Sequence, residues 1–89
     1  LFESLAINLH LARKAGAPLS PEGDDASRAL QWTLWAATEA EPAAMQWAYN
    51  TYIRPPEERD AGQAAAGAAA LAGRLQVVEG QLANRPHLL

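Results

Sequence analysis

Ala61, Ala64, Ala68, Leu71, Leu75, Val78 and Leu82 recur at alternating steps of three and four residues, a spacing that puts one side chain per turn on a single face of an α-helix. This seam is the strongest periodic signal in the chain. A long helix with an apolar face must lay that face against another helix, so the seam restricts the architectures open to the chain. Alanine fills the first half of the seam, where a partner helix can approach closely, and leucine and valine fill the wider space beyond. Gly62, Gly67, Gly73 and Gly80 interrupt the same stretch, and each costs a helix about 1 kcal/mol relative to alanine. Packing rather than intrinsic propensity is therefore expected to hold this helix.

Two further helical runs precede it. From Leu5 to Ala15 nearly every residue is a good helix former, and Gly16 with Pro18 supplies the stop, which predicts a first helix over about 4–15. Its apolar residues Leu5, Ala6, Ile7, Leu9, Leu11 and Ala12 wrap most of the circumference, as in a helix buried on several sides. The stretch "GAPLSPEGDD" reads as a loop dividing the chain near residue 22, after which Asp24 or Asp25 is placed to cap a second helix. That helix carries a stripe of Trp32, Ala36, Glu39, Ala43 and Trp47, with a kink expected at Pro42 and an end near Tyr52. "RPPEERDAG" breaks the chain again, with Pro56 expected at a helix start and Glu57, Glu58 and Asp60 filling its first turn. Three helical segments without a convincing strand predict an all-α chain, the second and third helices pairing antiparallel across the proline turn.

At 89 residues the chain is one small domain at most, and its stability is expected to be marginal. Cysteine is absent, which excludes a disulfide framework and a thiolate nucleophile within this stretch. Ten acidic residues against seven basic ones give a net charge of −3, and the arginines are scattered. Nucleic-acid binding, which needs clustered cations, is not expected. No apolar run resembles a membrane span, and a cytoplasmic protein is expected. A first residue of Leu1 and a last stretch of "RPHLL" suggest a piece of a longer chain.

Few residues carry candidate chemistry. His10 and His87 have no partner at ligand spacing, so no metal is expected. Glu39 and Glu41 point to opposite sides of a helix and do not form an acid/base pair. Glu3 and Ser4 stand at the head of the first helix. Ser4 at the capping position brings a hydroxyl beside free backbone N–H groups, which suits a carboxylate or phosphate, while Glu3 supplies the opposite charge. A ligand bearing both a carboxylate and an ammonium matches the pair, and so does a purely structural cap.

"ESLAINLHLARKAG", a proline-bearing linker, "ALQWTLWAATEAEPA", "RPPEERDA" and "VEGQLANRPHLL" follow one another in an order that resembles the glutathione transferase family, at the junction of its thioredoxin-like and helical domains. The resemblance implies that residues 1–16 form the last helix of the thioredoxin-like domain. It assigns 17–22 to the interdomain linker and 23–89 to the first part of the C-terminal all-α domain, with helices at about 24–52 and 56–84. It implies that Ser4 holds the γ-glutamyl carboxylate of glutathione and Glu3 its ammonium. Glutathione would then be the cosubstrate of a detoxifying transferase whose thiolate attacks a small electrophilic or disulfide substrate. The family takes its thiol-activating residue from elsewhere in the thioredoxin-like domain, so no residue here is assigned a catalytic role and the 89 residues alone are expected to be inactive. A homodimer is implied, with Trp32, Trp35, Trp47 and Tyr49 in a hydrophobic-substrate cleft or at the subunit interface. Two alternatives remain open: a noncatalytic glutathione transferase-like docking module, and an unrelated helical bundle in which Glu3-Ser4 is a simple cap.

Overall fold

The computed structural model describes all residues 1–89 and contains helices and no strand, as the all-α expectation requires. Four α-helices follow one another: α1 (Ser4–Ala15), α2 (Gly23–Trp35), α3 (Glu41–Ala48) and α4 (Ala61–Leu82). Two π-helical turns, Ala36–Ala40 and Tyr49–Ile53, lie on either side of α3, and a short 3₁₀ turn covers Pro56–Glu58. No helix is long and apolar enough to cross a membrane. The chain divides into two compact units, Leu1–Leu34 with Leu89, and Trp35–Leu88. The proline-bearing loop at 16–22 lies inside the first unit.

In the first unit, α1 ends where Gly16 takes a φ of 76° and returns its N–H to the Ala12 carbonyl at 3.0 Å. Only glycine adopts that backbone without cost, so the stop read from Gly16 has a physical basis. Arg13 and Lys14 occupy the last turn and oppose the negative end of the helix dipole. No residue of α1 is fully buried, and Leu11 is exposed, contrary to a helix covered on several sides. α2 begins one residue earlier than expected, at Gly23, which places Asp24 and Asp25 in the first turn instead of at the cap. Asp25 there pairs with Arg28 at 2.8 Å.

The second unit is built on α3 against α4. Gln46 meets Gln63, the Ala43 and Trp47 backbones meet Gly67, and Glu39 pairs with Arg74 at 3.2 Å. Partner numbers fall along α3 as they rise along α4, so the two helices run antiparallel, as the proline turn between them predicts. Where a kink is expected at Pro42, the structure places the π-helical turn Ala36–Ala40 just ahead of it. Glu41 N–H closes that turn on the Ala36 carbonyl, and Pro42 then falls in the first turn of α3, where a missing donor costs least.

α4 begins at Ala61, later than the proline-led start expected at Pro56. Asp60, not a proline, caps it, accepting from Gln63 N–H at 2.9 Å, while Pro56–Glu58 make a separate 3₁₀ turn. The face α4 buries is also rotated from the seam read in the sequence. Ala64, Leu71 and Val78 are half-buried as the seam requires, but Ala61, Ala68, Leu75 and Leu82 are exposed. Gly67, the single fully buried residue of the helix, lies on the contact line instead. A Cβ there would stand 2.6 Å from Trp47 N and 3.0 Å from Ala43 O. The absence of a side chain brings the two backbones together, and a search for apolar residues passes over a glycine.

Candidate functional site

Glu3 shapes the head of α1. Its φ of 70° and ψ of 113° put a non-glycine residue in the left-handed half of backbone space, at a cost on the order of 1–3 kcal/mol. Its carbonyl accepts the first hydrogen bond of the helix, from Ile7 N–H at 2.9 Å. The N–H groups of Ser4, Leu5 and Ala6 therefore have no acceptor within the helix. No side chain caps them, and no acidic residue stands in the first turn. Glu3 rather than Ser4 holds the capping position, because Glu3 carries the non-helical dihedral angles and Ser4 is the first helical residue. Both are exposed. Uncapped backbone donors, a hydroxyl and a carboxylate thus belong to neighbouring residues at the exposed head of α1. A cavity of about 290 Å³ in this unit lies toward the other end of α1, against Leu9, Arg13, Leu19 and Leu30, and includes neither Glu3 nor Ser4.

Trp32 belongs to the first unit and Trp35, Trp47 and Tyr49 to the second. Trp32 and Trp35 are half-buried, and Trp47 and Tyr49 are exposed. Trp47 meets Tyr52 edge-on, centroids 5.6 Å apart, and the Arg54 guanidinium lies 5.7 Å from the centre of the Tyr49 ring. Both pairs are five residues apart, the period that the π-helical turn Tyr49–Ile53 imposes.

Beside Tyr49, an open cavity of about 420 Å³ is lined by Met45, Gln46, Asn50, Arg54 and Gln63 as well. Asn50 organises its base. Its side chain is buried; Nδ2 donates to the Gln46 carbonyl at 2.8 Å, and Oδ1 accepts from Arg54 Nη1 at 3.1 Å and from Asp60 N–H at 3.2 Å. Arg59 closes the neighbouring turn, donating to the Arg54 and Tyr52 carbonyls. Asn50 and Arg54 are not among the residues the sequence marks out, although their spacing of four was a readable signal. Gln63 has no such signal, since its place opposite Gln46 depends on how α3 meets α4.

No family model matches the chain, and neither a curated protein nor a solved structure does.

Proposed function

We propose that the chain is part of a glutathione transferase-like protein, with Glu3 and Ser4 holding the γ-glutamyl end of glutathione. The observation that carries this reading is the strained backbone of Glu3 at the uncapped head of α1. Residues with strained backbone cluster at ligand-binding and other functional positions. The free N–H groups and the Ser4 hydroxyl suit the γ-glutamyl carboxylate, and the Glu3 carboxylate suits its ammonium. In this reading α1 closes a thioredoxin-like domain, 17–22 is the interdomain linker, and residues from 23 onward open an all-α domain. The bound thiol is then activated by a residue outside these positions and attacks a small electrophile or a disulfide. The proposed compartment is the cytoplasm, where glutathione is kept reduced. A homodimer is proposed as well, with Trp32, Trp35, Trp47 and Tyr49 toward the substrate cleft or the second subunit.

Calorimetric titration with reduced glutathione tests the reading. Ser4→Ala and Glu3→Gln are expected to weaken binding about tenfold or more, since hydrogen bonds to charged groups contribute about 1.5–3 kcal/mol. Absence of binding by the whole protein of which the chain is proposed to be part, or equal affinity of that protein and both its variants, would overturn it.

A docking module is the second reading, favoured by the large apolar side chains left exposed on several helices, among them Leu34, Tyr52, Ile53 and Leu75. It predicts self-association or capture of a partner without any response to glutathione.

A further inference from the structure

We infer that Arg54 anchors a second binding site, for a small carboxylate with an apolar body, in the cavity between the end of the α3 run and the start of α4. The inference uses neither Glu3 nor Ser4 and stands apart from the glutathione reading.

Arg54 is a cation fixed in place without a counter-ion. Its Nη1 donates to Asn50 Oδ1 at 3.1 Å, and Asn50, a residue 7% exposed, is itself held through its side chain by the Gln46 carbonyl and the Asp60 N–H. The Tyr49 ring supports the guanidinium from another side at 5.7 Å. All of these holders are neutral. The protein forms two ion pairs, Arg28 with Asp25 and Arg74 with Glu39, and Arg54 belongs to neither. Glu57 and Glu58, three and four residues on, form no ion pair with it. One of the five guanidinium N–H donors is used, which leaves a planar fork of the kind that grips a carboxylate with two parallel hydrogen bonds. A surface arginine ordinarily loses rotamer freedom when it binds; Asn50 and Tyr49 have already restricted this one, so less is lost.

The rest of the cavity sets the remainder of the ligand. Met45 and the Tyr49 ring offer apolar and aromatic surface, which favours an apolar body over a bare inorganic anion. Gln46 Nε2 donates to Gln63 Oε1 at 2.9 Å and to the Gln63 carbonyl at 3.2 Å. The Gln63 amide N–H groups remain at the rim as a second donor to an anion. Glutamine at that point adds no charge of its own, so Arg54 sets the selectivity.

The test is an NMR titration of the ¹⁵N-labelled protein with benzoate and with benzamide, which has nearly the same shape and no charge. Benzoate is expected to give saturable shifts at Tyr49, Arg54 and the Gln63 side-chain amide, and benzamide to bind at least about tenfold more weakly. Arg54→Gln keeps a donor for Asn50 but removes the charge, and is expected to weaken benzoate by at least about tenfold, whereas Arg13→Gln leaves it unchanged. The comparison of the two ligands on the parent protein needs no variant to fold. Equal binding of benzamide, unchanged affinity in Arg54→Gln, or unsaturable shifts spread over all the arginines would each overturn the inference.

Discussion

Substituting Gly67 with alanine tests the packing of α3 on α4 at its closest point. The added Cβ would stand 2.6 Å from Trp47 N, 3.0 Å from Ala43 O and 3.1 Å from Gln46 C, where carbon contacts prefer about 3.5–4.0 Å. All three obstructing atoms are backbone atoms of one helix, so no side-chain end can swing aside and the helices must part by about 1 Å. Overpacking of this kind costs about 1–3 kcal/mol, and a rigid backbone obstacle places the cost toward the upper end. Alanine recovers about 1 kcal/mol of helix propensity, leaving a net loss of about 1–2 kcal/mol. For a chain of this size that lowers the melting temperature by about 5–15 °C. Gly73 and Gly80 lie in the same helix and have nothing within 4 Å of the added atom. Gly73→Ala and Gly80→Ala are therefore expected to gain up to about 1 kcal/mol each. Thermal melts followed by circular dichroism read all three. A rise for Gly67→Ala matching that of Gly73→Ala would refute the reasoning, because it would mean the two backbones do not meet there.

Three other substitutions probe the remaining features. Asn50→Ala leaves the Asp60 N–H and the Gln46 carbonyl without their side-chain partner, and is expected to cost about 2–3 kcal/mol in urea unfolding; a loss below about 0.5 kcal/mol would deny Asn50 its organising role. Asp60→Ala removes the cap accepted from Gln63 N–H and is expected to cost about 1 kcal/mol, which Asp60→Ser should largely restore in the same assay. Glu3→Gly relieves the strained φ of 70° and is expected to stabilise the protein by about 1 kcal/mol. On the proposed function the same change weakens glutathione binding, so stability and affinity move in opposite directions; a destabilised Glu3→Gly would show that Glu3 is not strained.

Local chemistry made much of the helical content legible. Ser4–Ala15 is recovered residue for residue because strong helix formers end at a glycine with positive φ, a signal contained within the segment itself. The antiparallel pairing of α3 and α4 is the simplest arrangement for consecutive helices joined by a proline-bearing connection. Phase and register were not legible. The proline at Pro42 announces a break in the hydrogen-bond ladder, yet the answer is a π-helical turn ahead of it, chosen by how the whole run closes its carbonyls. In the candidate sites, Glu3 and Ser4 are adjacent in sequence and could be named together, but the strain on Glu3 belongs to the backbone path.

What the sequence determined by itself was the all-α class, the span of the first helix and the absence of cysteine chemistry, all consequences of residue type acting over a few neighbours. Tertiary structure alone decided which face of α4 is covered. The apolar seam offers Ala68, Leu75 and Leu82, but helices approach most closely where a side chain is missing, and Gly67 turned the contact line toward itself. It also decided the setting of Asn50, which accepts from Asp60 N–H ten residues on, and the place of Gln63 opposite Gln46. The physical reason is one of range: dihedral preferences act between neighbours in the chain, whereas excluded volume and shared hydrogen bonds act between segments that meet after folding.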